Sequence, residues 1–101
     1  MITEITDNQF QQEVLDSHIP VIVDFYSPTC APCKVLMPML EDLSERIVGV
    51  KFVKMNIATT TSYQTYEISS LPTLIKFNES KAVASLSGVK PRLDLVRFIN
   101  S

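Results

Sequence analysis

Cys30-Ala31-Pro32-Cys33 holds the only two cysteines of the chain. It stands between an apolar run, Val21 to Tyr26, and a helical pattern running from about Lys34 to Arg46. That placement constrains the fold, because a buried strand must deliver the pair to the start of a helix. Two cysteines at this spacing lie about one helical turn apart, so a disulfide can close with the Cα atoms about 5.5 Å apart. The unpaired N–H groups and partial positive charge of a helix start favour a thiolate and lower the pKa of the first cysteine. Closing so short a loop stabilises a fold little, so the pair reads as chemistry more than as a staple. Two other uses stay open on the residues alone. Free cysteines serve as small buried hydrophobes, and zinc takes about four ligands. With one histidine in the chain, His18, a single copy does not supply a zinc set, and no metal is expected.

The rest of the chain narrows the setting. A length of 101 residues gives one domain, 1–101, large enough for a single core. Hydrophobic content of 46% and charge of 20% suit a globular protein, and a net charge of -2 leaves no basic footprint for nucleic acid. Met1 to Asp7 carries neither a basic start nor an apolar segment of the signal-peptide kind, and no apolar run is long enough for a bilayer. The expectation is a cytoplasmic protein, with no membrane partner. In a reducing cytosol a lone Cys-x-x-Cys is more often catalytic than structural.

In chain order, Ile2 to Ile5 predicts a short strand, and Thr6 with Gln9 a capping box opening a helix with Phe10, Val14 and Leu15 inward. Val21 to Tyr26 predicts a central strand buried on both faces, interrupted only by Asp24. Leu36, Leu40, Leu43 and Ile47 form one helical face, with Pro38 expected to kink that helix. Val50 to Ile57 predicts the next strand, which completes a right-handed βαβ unit. Thr59 to Tyr66 allows a short helix, Leu74 to Phe77 a strand and Ala82 to Leu86 its antiparallel partner across a turn without glycine. Pro91 suits the first position of a closing helix, with Leu95, Phe98 and Ile99 inward and Lys90 a poor N-cap. The order predicts an α/β fold, a central mixed sheet with helices on both faces. Asp24 stands out on physical grounds: a buried carboxylate is costly unless paired or protonated, so its pKa should rise and make it a candidate proton acceptor.

These pieces together resemble the thioredoxin family over nearly the whole chain. The resemblance rests on Pro20 to Phe25, Cys30-Ala31-Pro32-Cys33-Lys34, Pro38, Lys54-Met55-Asn56-Ile57, Leu71-Pro72-Thr73 and Gly88. It implies a thioredoxin fold and a protein disulfide oxidoreductase. In that family's pattern Cys30 is the exposed nucleophile, Cys33 the buried resolving thiol, and Lys54 lies close to the Asp24 carboxylate. The Leu71-Pro72 bond is cis beside the cysteines, and the substrate cleft comprises Thr29, Ala31, Pro32, Leu71, Pro72, Gly88 and Val89. Leu71 backbone groups would pair with an extended substrate segment, and a side chain at Gly88 would crowd an approaching partner.

The resemblance further implies no cofactor beyond the redox-active Cys30–Cys33 disulfide. It implies disulfide-containing proteins as substrates, a reductase as electron donor (thioredoxin reductase by analogy) and a monomer. The chain also departs from the family's usual pattern. Thr29 and Ala31 replace the usual Trp and Gly around the first cysteine, Tyr26 occupies the place of the other common tryptophan, and the chain has no Trp. The missing indoles remove apolar surface that partners grip. Two alternatives follow: a thiol oxidant or isomerase of the same fold, and a non-redox docking subunit.

Overall fold

A computed structural model describes residues 1–101. Its strands are β1 (Thr3–Glu4), β2 (Val21–Tyr26), β3 (Lys51–Asn56), β4 (Thr73–Asn78) and β5 (Lys81–Ser87). They form one sheet in the order β1-β3-β2-β4-β5. β3 runs parallel to both β1 and β2, while β4 is antiparallel to β2 and to β5. The helices are α1 (Asp7–Phe10), which continues as a wider π-type turn over Gln11–Leu15, then α2 (Ala31–Arg46) and α3 (Arg92–Ile99). A 3-10 turn, Ser62–Tyr66, crosses between β3 and β4.

β2 is central because almost nothing in it needs water. Val21, Ile22, Val23, Asp24 and Phe25 are all fully buried. Alternation along the strands divides the core. Ile22 with Phe52 and Leu74 meets Leu36, Leu40 and Leu43 of α2 and Leu95, Phe98 and Ile99 of α3. Val21, Val23 and Phe25, with Val53, Ile75 and Phe77, meet Phe10 and Val14 on the other side, where Tyr63 and Tyr66 pack as well. The expected mixed sheet with helices on both faces is present.

Several local expectations need correction. α2 begins at Ala31 instead of Lys34, since Cys30 takes the N-cap conformation and the fixed φ of Pro32 suits a first turn. The helix continues through Pro38, which lies on its exposed side, and ends at Arg46, as the pattern predicts. Pro91 is the N-cap of α3, not its first residue; its ψ of 152° is extended, and its carbonyl accepts the Asp94 and Leu95 N–H groups. The segment after Thr6 holds one α-helical turn and then widens, with the Asp16 N–H donating to the Gln11 carbonyl at 2.8 Å. At its start the Gln9 side chain accepts the Thr6 N–H at 2.9 Å, as the capping-box pattern predicts.

Lys76 is buried in β4 although alternation suggests an ordinary strand lysine. Its ammonium donates to the Ile99 carbonyl at 2.9 Å and to the Ser101 carbonyl, so a cation caps the C-terminal end of α3.

The β4–β5 hairpin turns on Glu79 and Ser80, with φ of 53° and 66°. This left-handed geometry fits the twist of the strands and favours Asn or Gly. Ser80 gains something in return, because its hydroxyl donates to the Leu15 carbonyl. Glu79 makes no such side-chain bond. Replacing Glu79 by Asn is therefore expected to raise the unfolding free energy by about 0.5–1 kcal/mol. Urea denaturation beside the parent protein checks this, and an unchanged or lower midpoint would count against the strain account.

Candidate functional site

β2 ends at Tyr26, β4 starts at Thr73 and β5 ends at Ser87, and the register brings these three termini to the same end of the sheet. The segments that leave or enter there carry the residues singled out in the sequence. Ser27 to Cys30 follows β2, Leu71 and Pro72 precede β4, and Gly88 and Val89 follow β5.

Cys30 and Cys33 form a disulfide with their Cα atoms 5.3 Å apart. Cys30 is half-buried and Cys33 is 3% exposed. The asymmetry follows from helix geometry. Cys33 opens the inward stripe that continues through Leu36, Leu40 and Leu43, whereas Cys30 sits at the N-cap, before the helix enters the core. The Cys33 N–H donates to Cys30 Sγ at 3.2 Å. This donor and the start of a 16-residue helix meet at Cys30 Sγ, a setting of the kind that favours a thiolate over a thiol.

Before the pair, the Thr29 N–H donates to Ser27 Oγ at 3.2 Å, and the two hydroxyls lie 3.0 Å apart. Thr29, Ala31 and Pro32 are all exposed. The Leu71-Pro72 peptide bond is cis, Pro72 is buried and Leu71 stands just outside the β4 ladder. Gly88 donates its N–H to the Pro72 carbonyl at 2.8 Å, which ties the two flanking segments together. Its φ of +84° suits glycine, and a Cβ there would meet nothing of the chain within 4 Å. Within the chain, then, glycine is required for its backbone conformation and not for space.

Asp24 is 0% exposed and neither of its oxygens has a hydrogen-bond partner. Burial pushes its pKa up to about 7, against the pull of Lys54. Lys54 is its register partner on β3. The two form no direct ion pair, and the Lys54 ammonium lies 5.9 Å from the centre of the Tyr26 ring. A cavity of about 170 Å³ opens at this point, lined by Tyr26, Ser27, Pro28, Cys33, Lys34, Met37 and Lys54. It brings Cys33, Lys54 and the Tyr26 ring into one space.

Met37 and Pro28 escaped sequence reasoning. The one signal for Met37 is its position a helical turn after Cys33, on the same side of α2. No group of three or more His, Cys, Asp or Glu side chains is arranged to hold a metal, and no helix is long and apolar enough to cross a membrane.

Comparison with known proteins agrees with this architecture. The thioredoxin family model matches residues 1–101. Thioredoxin C-2 of Corynebacterium nephridii is 41% identical, over 98% of this chain and 94% of its own length. The thioredoxin of Haemophilus influenzae is 36% identical over the same shares. Thioredoxin 1 of a Nostoc species is 37% identical over 91% of this chain and 88% of its own.

The buried carboxylate yields a pH-dependent prediction. Because its pKa is raised from 3.8 to about 7, Asp24 binds its proton more tightly in the folded than in the unfolded chain. The stability that this provides is complete below about pH 4 and is lost as pH rises through about 7. Asp24→Asn keeps the shape without the charge. At pH 8 it is expected to raise the unfolding free energy by a few kcal/mol, about 4 at most, and at pH 4 to change it little. Urea melts at both pH values test this, and an equal effect at the two would refute it.

Proposed function

The chain belongs to the thioredoxin family and is a thiol-disulfide oxidoreductase acting through Cys30 and Cys33, and we propose that it reduces protein disulfides in two steps with Asp24 as proton acceptor. In the first step the Cys30 thiolate attacks one sulfur of a substrate disulfide. The substrate S–S bond breaks, the other substrate sulfur leaves as a thiolate, and a mixed disulfide joins Cys30 to the substrate. In the second step Cys33 gives its proton to the Asp24 carboxylate and attacks Cys30 Sγ. The mixed disulfide breaks, the second substrate thiolate departs and the Cys30–Cys33 bond forms. Two electrons pass from the dithiol to the substrate.

The observation that carries this reading is the asymmetry of the pair. Cys30 is reachable and holds the helix N–H, whereas Cys33 is buried and lines the same cavity as Lys54, the register partner of the unpartnered Asp24. A carboxylate whose proton affinity lies near neutral pH suits a group that must take and release a proton in each cycle. Lys54 tempers that affinity by its charge, without contact.

The substrate cleft of this reading comprises Thr29, Ala31, Pro32, Leu71, Pro72, Gly88 and Val89. An extended substrate segment pairs with the Leu71 backbone at the mouth of β4. Residues 1–101 act as one thioredoxin domain, as a monomer in the cytoplasm. The protein needs no cofactor of its own, because the electrons are stored in the dithiol and replenished by a reductase of the thioredoxin reductase kind.

Reduction of insulin with dithiothreitol as donor tests the proposal. The parent protein is expected to accelerate it and Cys30→Ser to abolish the acceleration. Cys33→Ser is expected to trap a mixed disulfide on Cys30 that is visible by mass. A parent protein no faster than dithiothreitol alone would overturn the reading in favour of a docking role.

A further inference from the structure

Glu4, Lys54 and Asp24 stand side by side on β1, β3 and β2. Residues paired across neighbouring strands share a face of the sheet, so Lys54 has a carboxylate residue on each side. Yet the ion pairs of the chain are Arg46–Asp42, Lys51–Glu13 and Arg92–Asp42, and Lys54 belongs to none. Asp24, which has the more to gain from a cation, keeps both oxygens unpartnered. The Lys54 ammonium instead lies over Tyr26, two residues beyond Asp24 on the same face. Tyr26 in turn feels Glu4. Burial first, and then the Glu4 carboxylate by hydrogen bonding and charge, pushes its phenol up to about 12, so the proton stays on the ring oxygen.

We propose that Glu4 is a positioning residue for the resolving half of the exchange: its charge offsets the pull of Asp24 on the Lys54 ammonium, leaving the ammonium over the Tyr26 ring and keeping it from closing an ion pair on Asp24. The inference rests on Asp24 receiving the Cys33 proton. An ammonium in contact would leave that carboxylate permanently charged and a poor base. Held at a distance, the same ammonium lowers the cost of charging Asp24 without removing its affinity for a proton.

Lys54 is the one charge that acts on Asp24. β4 presents Leu74 opposite Asp24. α2 brings Cys33, and also Lys34, which is exposed at the rim of the same cavity. β2 itself adds Tyr26, protonated at neutral pH.

The test follows the Asp24 carboxyl carbon by NMR titration of the oxidised protein, in which neither cysteine titrates. Glu4→Gln keeps the shape of an exposed side chain and removes its charge. The Asp24 midpoint is expected to fall by roughly half a pH unit or more, about a threefold loss of proton affinity. In a Lys54→Met background the same substitution is expected to move the midpoint much less. An unchanged midpoint in the single variant would overturn the proposal. So would an equal shift in both backgrounds, since Glu4 would then act as a distant charge and not through Lys54. Single-turnover release of a Cys30 mixed disulfide supplies the functional readout, with the acid limb of its pH profile expected to move with the titration. If the titration moves and the limb does not, the role given to Asp24 fails while the hold of Glu4 on Lys54 stands.

Discussion

Everything at the site depends on β2 being hydrogen-bonded along both edges, parallel to β3 and antiparallel to β4. With helices also packed on both faces of the sheet, a strand in that position has no side exposed to water, so its residues must be apolar or bear the full penalty of desolvation. Four of the five residues Val21 to Phe25 satisfy this and Asp24 does not. The same central placement sends the chain out at the end of the sheet where β4 begins and β5 ends. The cysteines therefore emerge next to Pro72 and Gly88 as a consequence of topology.

The two cysteines meet opposite electrostatic surroundings only a helical turn apart. At Cys30 the backbone supplies a hydrogen-bond donor and the positive end of α2. At Asp24, beneath the helix, the structure supplies no donor at all. Both arrangements push proton equilibria, in opposite directions. The first favours loss of a proton from the Cys30 thiol, and the second favours gaining one at the carboxylate. An exchange that must ionise one thiol before contact and the other after it needs this division. One stretch of chain, from the end of β2 into α2, provides both halves.

The apolar periodicity made much of this legible. Leu36, Leu40 and Leu43, and likewise Leu95, Phe98 and Ile99, proved to be the buried faces of their helices because a 3.6-residue repeat has one inward solution. Asp24 was visible as a carboxylate in a run that should exclude one. What stayed hidden depends on pairing between distant segments. Nothing local reveals that Lys76 is buried, since the reason is the end of α3, more than twenty residues on. Glu4 is unremarkable until the sheet order sets β1 against β3 and places it beside Lys54. The helix boundaries were missed by one to three residues because a cap is decided by backbone conformation, at Cys30 by a sulfur accepting an N–H and at Pro91 by an extended ψ.

The departures from the family's usual pattern acquire a common physical meaning at Tyr26 and Thr29. An indole next to the first cysteine presents a flat apolar face to a partner. Here Thr29 spends its polar groups locally, with its N–H and hydroxyl both directed at Ser27. The Tyr26 ring lies beneath the Lys54 ammonium, an arrangement in which the ring face attracts the cation. The aromatic position thus lies against the row of charged residues Glu4, Lys54 and Asp24. In the proposed cleft, apolar contact with a partner falls to Ala31, Pro32, Leu71 and Val89, which are small or aliphatic. A cleft of that composition offers little area for side-chain recognition, which shifts the weight of binding to backbone pairing and favours extended segments over folded surfaces.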